Sequence, residues 1–432
     1  MPALPDSHPQ RPALADEVHA RPPEPLSTPS RVAHLAVLID PAEREAERQH
    51  LLGLCRTHGV EPPSAEAGHV TLPLGPLRLK WERHGEFSGW TFIVEGDGGA
   101  GAFSALPEGW LAGVPGRTIM AAEAQLLRGS GAPADAAQLA QWFGAGSVVI
   151  GSQVADGAGC AYTDFKLRDD GCLRFVVLDN GFTPRQAGRV MQRLFEIEVY
   201  RLLALLALPV AQALGPRTRA IETALGTLTA DIGRDDGDAP GREEALLHEL
   251  TRLAAEVEQG LLHGQYRFGA CRAYSQLVAT RVAELRESRL SGLQTIEEFM
   301  SRRFSPAVAT CATVSQRLHE LSERVAQASS LLATRVGIAR ERQNQALLAS
   351  MDRRARLQLR LQQTVEGLSV AAITYYAAGL VGYLAKGAKA AGLRVDPDLV
   401  VGLSVPVLVL LIAWGLRRAR RHLHAGGDGA RH

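Results

Sequence analysis

Two stretches near the C-terminus carry no charged side chain: residues 367–385 (GLSVAAITYYAAGLVGYLA), 19 positions, and residues 399–416 (LVVGLSVPVLVLLIAWGL), 18 positions. A helix rises about 1.5 Å per residue, so each stretch can cross a hydrocarbon core of about 30 Å. Buried helices of this length and purity are uncommon in soluble proteins, and two in tandem more so. The pair reads as a two-span transmembrane hairpin, and everything else in the chain must then be arranged beside a lipid bilayer. Tyr383 and Trp414 stand where amphipathic rings anchor at a membrane interface, while Tyr375 and Tyr376 lie deeper in the first span. Gly379 and Gly382, with Ala371, Ala372, Ala377 and Ala378, leave a small-residue surface that permits close helix–helix approach. Tyr375, Tyr376, Gly379, Gly382 and Tyr383 are therefore the candidate packing or pore-lining positions. Neither span holds an ionisable group beyond the tyrosine phenols, so a proton relay or charged-substrate path gains no support.

Basic residues set the expected orientation. Arg353, Arg354, Arg356 and Arg360 precede the first span, and Arg417, Arg418, Arg420 and Arg421 follow the second. The connecting loop, residues 386–398, carries Lys386, Lys389 and Arg394, offset by Asp396 and Asp398. The heavier basic flanks place both termini in the cytoplasm, with 386–398 a short external loop and 417–432 a basic cytoplasmic tail. The N-terminus is Pro-rich and polar without an apolar run, so no signal peptide is expected and the protein should sit in the inner membrane. Net charge is +1, from 47 Lys+Arg against 46 Asp+Glu, which disfavours a nucleic-acid partner. That neutrality is a sum of unlike parts: residues 366–432 hold 8 basic and 4 acidic side chains, the remainder 39 and 42.

The preceding residues predict an α+β fold in 432 residues, room for about three domains. Residues 1–30 hold eight prolines and read as an extended arm. Strands are expected over 31–40, 69–74, 77–84, 88–95, 147–155, 160–168 and 172–179, the last two joined by a turn at Asp169-Asp170-Gly171. Helices are expected over 41–58, ending near Gly59, and over 120–128 and 135–143, with a Gly-rich loop over 96–118. About seven short strands interleaved with helices make an α/β domain over 31–182. The five cysteines, Cys55, Cys160, Cys172, Cys271 and Cys311, form no C-x-x-C, so neither a disulfide framework nor a zinc site is signalled.

From Thr183 the period changes. Thr183 as N-cap with Pro184 behind it starts a helix expected to run to about Leu214. Its apolar part, residues 202–214, is too short to span a bilayer and reads as a buried core helix. A loop over 231–241 follows, and then almost everything to Gln363 favours helix, with Pro306 marking a start or a kink. Residues 183–366 thus form a helical stalk. Cys311, Val314, Leu318, Leu321, Val325, Ala328 and Leu332 are spaced as an a/d seam of about three heptads. Two readings are open: a self-associating coiled coil that makes a homo-oligomer, or an intramolecular hairpin packed against residues 243–289.

No catalytic constellation stands out. G-x-S-x-G, H-E-x-x-H, a Walker A pattern and an EF-hand loop are absent, so the expectation is a protein that is not an enzyme and needs no cofactor or metal. The densest polar cluster is Asp16, Glu17, His19 and Arg21. Carboxylates beside an imidazole can do acid–base work or hold a metal; the plainer reading is an arm whose charges dock it onto the α/β domain or a neighbouring subunit. Asp164 and Lys166 share one face of an expected strand, and a cross-strand ion pair is the ordinary explanation.

Three segments carry a resemblance: ADEVHARPPE (residues 15–24), EVYRLLALLALP (198–209) and, in the hairpin, ITYYAAGLVGYLAKG with VDPDLVVGLSVPV. They resemble a bacterial family of uncharacterised membrane-anchored proteins known as a domain of unknown function. The resemblance covers essentially the whole chain; it implies a two-span anchored protein and supplies no catalytic residues. In domain order the chain is also similar to the CorA-type divalent-cation channels, and Val395-Asp396-Pro397-Asp398-Leu399 is similar to the acidic loop before their second span. Their Gly-Met-Asn signature is missing, Gly379-Leu380-Val381-Gly382-Tyr383 standing in its place, and Lys386 and Lys389 would repel a divalent cation. The expected role is a cytoplasm-facing, membrane-anchored homo-oligomer that binds a partner or senses a ligand. The alternative is a CorA-like oligomeric ion conduit.

Overall fold

Period-two alternation builds the N-terminal half of the computed structural model, which describes residues 6–11, 14–15, 22–234, 241–392 and 396–425. The strands are β1 (Ser30–Leu38), β2 (His69–Leu74), β3 (Leu77–Arg83), β4 (Phe87–Glu95), β5 (Arg117–Arg128), β6 (Ile150–Val154), β7 (Gly159–Thr163), β8 (Leu173–Asp179) and β9 (Ser288–Arg289). They form one sheet in the order β2-β3-β4-β1-β5-β8-β7-β6-β9, antiparallel except for the β5–β8 pair. On β3, Leu77, Leu79 and Trp81 enter one core while Arg78, Lys80 and Glu82 face the other side of the sheet.

Helix α1 (Arg44–His58) covers the first face over β1–β4, burying Leu51, Leu54 and Cys55 beside Trp81, Trp90 and Phe92. Gly59, at φ 62°, ends it in the left-handed conformation that glycine adopts without strain. Helix α2 (Ala136–Phe143) covers the same face further along, with Phe143 against Cys160, Tyr162 and Val176. Helix α3 (Pro184–Leu205) covers the opposite face. The Thr183 hydroxyl accepts from the Gln186 amide, as an N-cap should.

Several expectations are corrected. Residues 120–128 are not a helix but most of β5, at the middle of the sheet. Met120, Ala122, Ala124 and Leu126 are buried at every second position, so pairing with β1 and β8 overrides the helix propensity of an Ala-, Glu- and Leu-rich segment. The sheet consequently has nine strands rather than about seven, the ninth supplied by the two residues Ser288–Arg289. The helix expected over 183–214 breaks at Leu206; α3 stops at Leu205 and α4 (Ala207–Gly233) continues past Pro216. Asp164 pairs not across strands but with Arg168, four residues on, at 3.3 Å, because Asp164 and Lys166 both follow the end of β7.

Helices α4, α5 (Arg242–Glu284) and α6 (Ile296–Ala390) complete the architecture. Helix α6 contains one π turn, Met300–Phe304, immediately before Pro306, which confirms a backbone irregularity there. The residues of the a/d seam are all buried. Cys311, Val314 and Leu318 share a core with Leu214, Phe268 and Cys271, and Arg324 pairs with Glu222 of α4 at 3.4 Å. Gly260 of α5 makes room for Leu318: a Cβ there would lie 3.1 Å from its Cδ2. Of the two readings of the seam, the intramolecular one describes this part of the chain.

Met1–Ser330 and Leu331–His432 are two separate compact units. In the second, α7 (Pro397–Ala425) packs on the end of α6. Thr374, Ala378 and Ala385 are the buried positions of α6 there, and a Cβ on Gly382 would stand 3.2 Å from Val401 Cγ2. Both α6 and residues Pro397–Gly415 of α7 are long and apolar enough to cross a membrane.

Candidate functional site

A sheet face covered by a helix is ordinarily apolar, and the face under α3 mostly is. Its β3–β4–β1 corner departs from that rule. The strand register puts Lys80 beside Thr91 and Thr91 beside His34, with Glu82, Gly89 and Ala36 in the adjacent row. A cavity of about 50 Å³ lies over this corner. Its floor is His34, Lys80 and Glu82; its roof is the α3 face bearing Met191, Gln192, Phe195 and Glu196.

The floor is polar but internally matched. Lys80 Nζ lies 2.9 Å from Glu82 Oε1 and 3.5 Å from Gln192 Oε1. The Gln192 amide donates to Glu196 Oε1 at 2.7 Å, and the other Glu196 oxygen pairs with Arg281 of α5. Lys80 and Glu82 are both buried, and each serves the other as a counter-ion. His34 Nδ1 lies 2.9 Å from the Thr91 hydroxyl, and its ring stacks on Phe195 at 5.2 Å. Burial, reinforced by the nearby His84 and Lys80, drives its pKa down to about 3, so the imidazole is neutral at physiological pH. Gly89 is what admits the ring: a Cβ there would stand 3.2 Å from the imidazole Cε1.

The chain leading into β1 forms one wall of the mouth. Leu26 is buried in the cavity wall, and its N–H donates to the Pro184 carbonyl at 2.9 Å. Glu24 accepts from the Thr71 hydroxyl at 2.7 Å and lies 3.7 Å from Arg78 Nε, while Arg78 Nη2 donates to the Pro25 carbonyl. Gly188 lets this strap lie directly on α3, since a Cβ would fall 1.9 Å from the Glu24 carbonyl oxygen. The last third of the arm therefore docks on the α+β unit, with Glu24 as the charge that fastens it.

The residues singled out from the sequence lie elsewhere. Asp16, Glu17, His19 and Arg21 fall outside the described residues. Tyr375, Tyr376, Gly379 and Tyr383 are exposed on α6, and of the five candidate packing positions Gly382 is the one turned toward α7. Arg353 and Arg354 are exposed on α6; Arg417, Arg420 and Arg421 fall in the last turns of α7, where the Arg418 guanidinium lies 5.4 Å over the Trp414 ring. Among the described residues, no group of three or more His, Cys, Asp or Glu is placed to hold a metal ion.

His34, Lys80, Glu82, Gln192 and Glu196 escape sequence reading for a physical reason. The alternation in LRLKWER looks like a strand with one solvated face, and nothing local reveals that α3 covers it. The available signal was Gln192 and Glu196, one turn apart on a helix that is otherwise strongly apolar on its sheet-facing side.

A family profile described as protein of unknown function (DUF3422) matches residues 6–423, nearly the whole chain. The match supports the first resemblance drawn from the sequence and lends nothing to the likeness with CorA-type channels. No curated protein matches the chain.

Proposed function

The chain belongs to the family of proteins of unknown function DUF3422, and because membership brings no activity with it we propose a role from the fold: a membrane-anchored sensor that binds a small ligand between its sheet and α3. The observation that carries this reading is the charged floor under α3. Buried ionised groups are costly, and a buried charged pair on the wall of a cavity marks a candidate binding site. The site reads as binding rather than catalytic, because its carboxylates are held in ion pairs.

The same helix that roofs the cavity is tied to the bundle. Glu196 pairs with Arg281, Arg193 lies 2.9 Å from Glu284, and Tyr200 stacks on Tyr274 at 5.7 Å, all across the α3–α5 interface. An occupant that shifts α3 would be felt by α5, and through the Cys271–Cys311 and Gly260–Leu318 contacts by α6. In this reading the hairpin of α6 and α7 anchors the protein in the inner membrane with both termini in the cytoplasm, as the Arg353–Arg360 and Arg417–Arg421 flanks favour. Homo-oligomerisation belongs to α6 beyond Leu331 and to the hairpin, not to the buried seam.

The test is to fill the cavity by mutation. Met191→Trp should mimic an occupant and alter amide exchange in α5 and in α6 as far as Ser330, relative to wild type. Exchange changes confined to α3 and the sheet would contradict the sensing reading. Sidedness is tested separately: a cysteine replacing Lys389 should react with an impermeant maleimide added outside the cell, and one at Arg353 should not.

A further inference from the structure

We infer that the cavity takes an uncharged ligand of about three to five non-hydrogen atoms, with a hydroxyl or carbonyl oxygen received by the Lys80 ammonium. This rests on the cavity being a ligand site at all and specifies what it selects.

Charge decides the class. Three carboxylates reach the cavity, and each has a cation: Glu82 has Lys80 at 2.9 Å, Glu24 has Arg78 at 3.7 Å, and Glu196 has Arg281. His34 is neutral. A ligand bringing a net charge of either sign would enter without a counter-ion, in a space whose floor is closed to water, and would have to break an existing pair to find one. An uncharged ligand leaves all three pairs intact. Hydrogen-bond capacity decides the polar group. An ammonium has three protons. The contacts to Glu82 and Gln192 use two, the second at a stretched 3.5 Å, which leaves a donor for a ligand oxygen. Size follows from volume: at roughly 10–15 Å³ per water-sized site, a cavity of about 50 Å³ has room for a handful of atoms. The remaining walls, among them Val32, Ile93, Met191 and Val199, suit a short hydrocarbon body.

The experiment uses the full chain in lipid nanodiscs and three probes of one skeleton: butanol, butyrate and butylammonium. Binding is followed by ligand-observed NMR, with Val199→Phe as the cavity-filling control and Met191→Trp, also on the cavity wall, as a second filler should the first fail to fold. Butanol should bind at least tenfold more tightly than either ion, and either filler should weaken it at least tenfold. The charge-neutral pair Lys80→Met with Glu82→Gln should also lose about tenfold in butanol affinity. Tighter binding of butyrate or butylammonium would overturn the uncharged class while leaving the sensing reading standing. Unchanged butanol binding in the Lys80→Met, Glu82→Gln protein would overturn the assigned donor. If no probe shows binding that the fillers reduce, the cavity is not a ligand site and both readings fall.

Discussion

Helix α6 passes through two environments with the same kinds of side chain. Between residues 311 and 328 its apolar positions are shut away, Leu318 at 1% and Ala328 at 2% exposure. Past Leu331 comparable residues are bare, Leu347 at 62%, Leu361 at 66% and Tyr375 at 78%. Composition sets apart only the uncharged residues 367–385; between 311 and 366 the difference is cover. Helices α4 and α5 seal the first half, whereas past Leu332, among the described residues, only Thr374, Ala378 and Ala385 of α6 are buried. Leaving apolar area in water costs about 25 cal/mol per Å², so a long uncovered run signals a different solvent or a further copy of the chain. For residues 367–385 we propose that this solvent is the bilayer, and for 331–366 that the cover is a second copy.

The contrast is sharpest in paired substitutions. Leu318→Lys places an uncompensated charge in the bundle and should cost about 4 kcal/mol or more, enough to abolish a cooperative melt. Leu347→Lys should change the stability of the fold by less than about 0.5 kcal/mol while lowering the oligomer size by light scattering. Equal melting losses in the two variants would break the comparison.

His34 provides the next largest effect, and it runs with pH. Unfolded, the imidazole takes up a proton near pH 6.5; folded, it resists until about pH 3. Its contribution is therefore complete above pH 6.5 and is lost as pH falls toward 3, by up to about 1.4 kcal/mol per pH unit. Melting of the detergent-solubilised protein across that window should show the slope, and His34→Asn should flatten it. A slope unchanged in the variant would mean that other groups set the acid sensitivity.

Smaller effects belong to the strap. Gly188→Val should expel Glu24 from its seat on α3, cost about 1–3 kcal/mol, and open residues 22–29 to limited proteolysis. Glu24→Gln removes only a partly exposed ion pair, retains a hydrogen-bond acceptor for Thr71, and should cost less than about 1 kcal/mol. Proteolysis no faster in the Gly188→Val protein would remove the strap from the account.

Much of this is legible in the sequence. The hairpin of apolar helices, the strand pair β2–β3, the Gly59 stop and the Thr183 cap are local signals, set by hydropathy, turn chemistry and capping. What was not legible depends on distant parts of the chain. Residues 120–128 become a strand because β1 and β8 flank them. The seam at Cys311–Leu332 shows its spacing in sequence but not whose helices fill it. The cavity is the extreme case: Lys80 and Glu82 look like residues of a solvated strand face until α3, more than a hundred positions later, is laid over them.

The central claim is that the uncovered end of α6 and α7 is held in lipid. It is tested most directly by washing the membrane fraction of expressing cells with alkaline carbonate and assaying where the full-length protein goes. The account predicts that it stays in the membrane pellet, and that a variant carrying Leu380→Arg and Leu410→Arg, at about 2.5–3.5 kcal/mol per buried charge, is recovered in the supernatant. Release of the unmodified protein into the supernatant would contradict it.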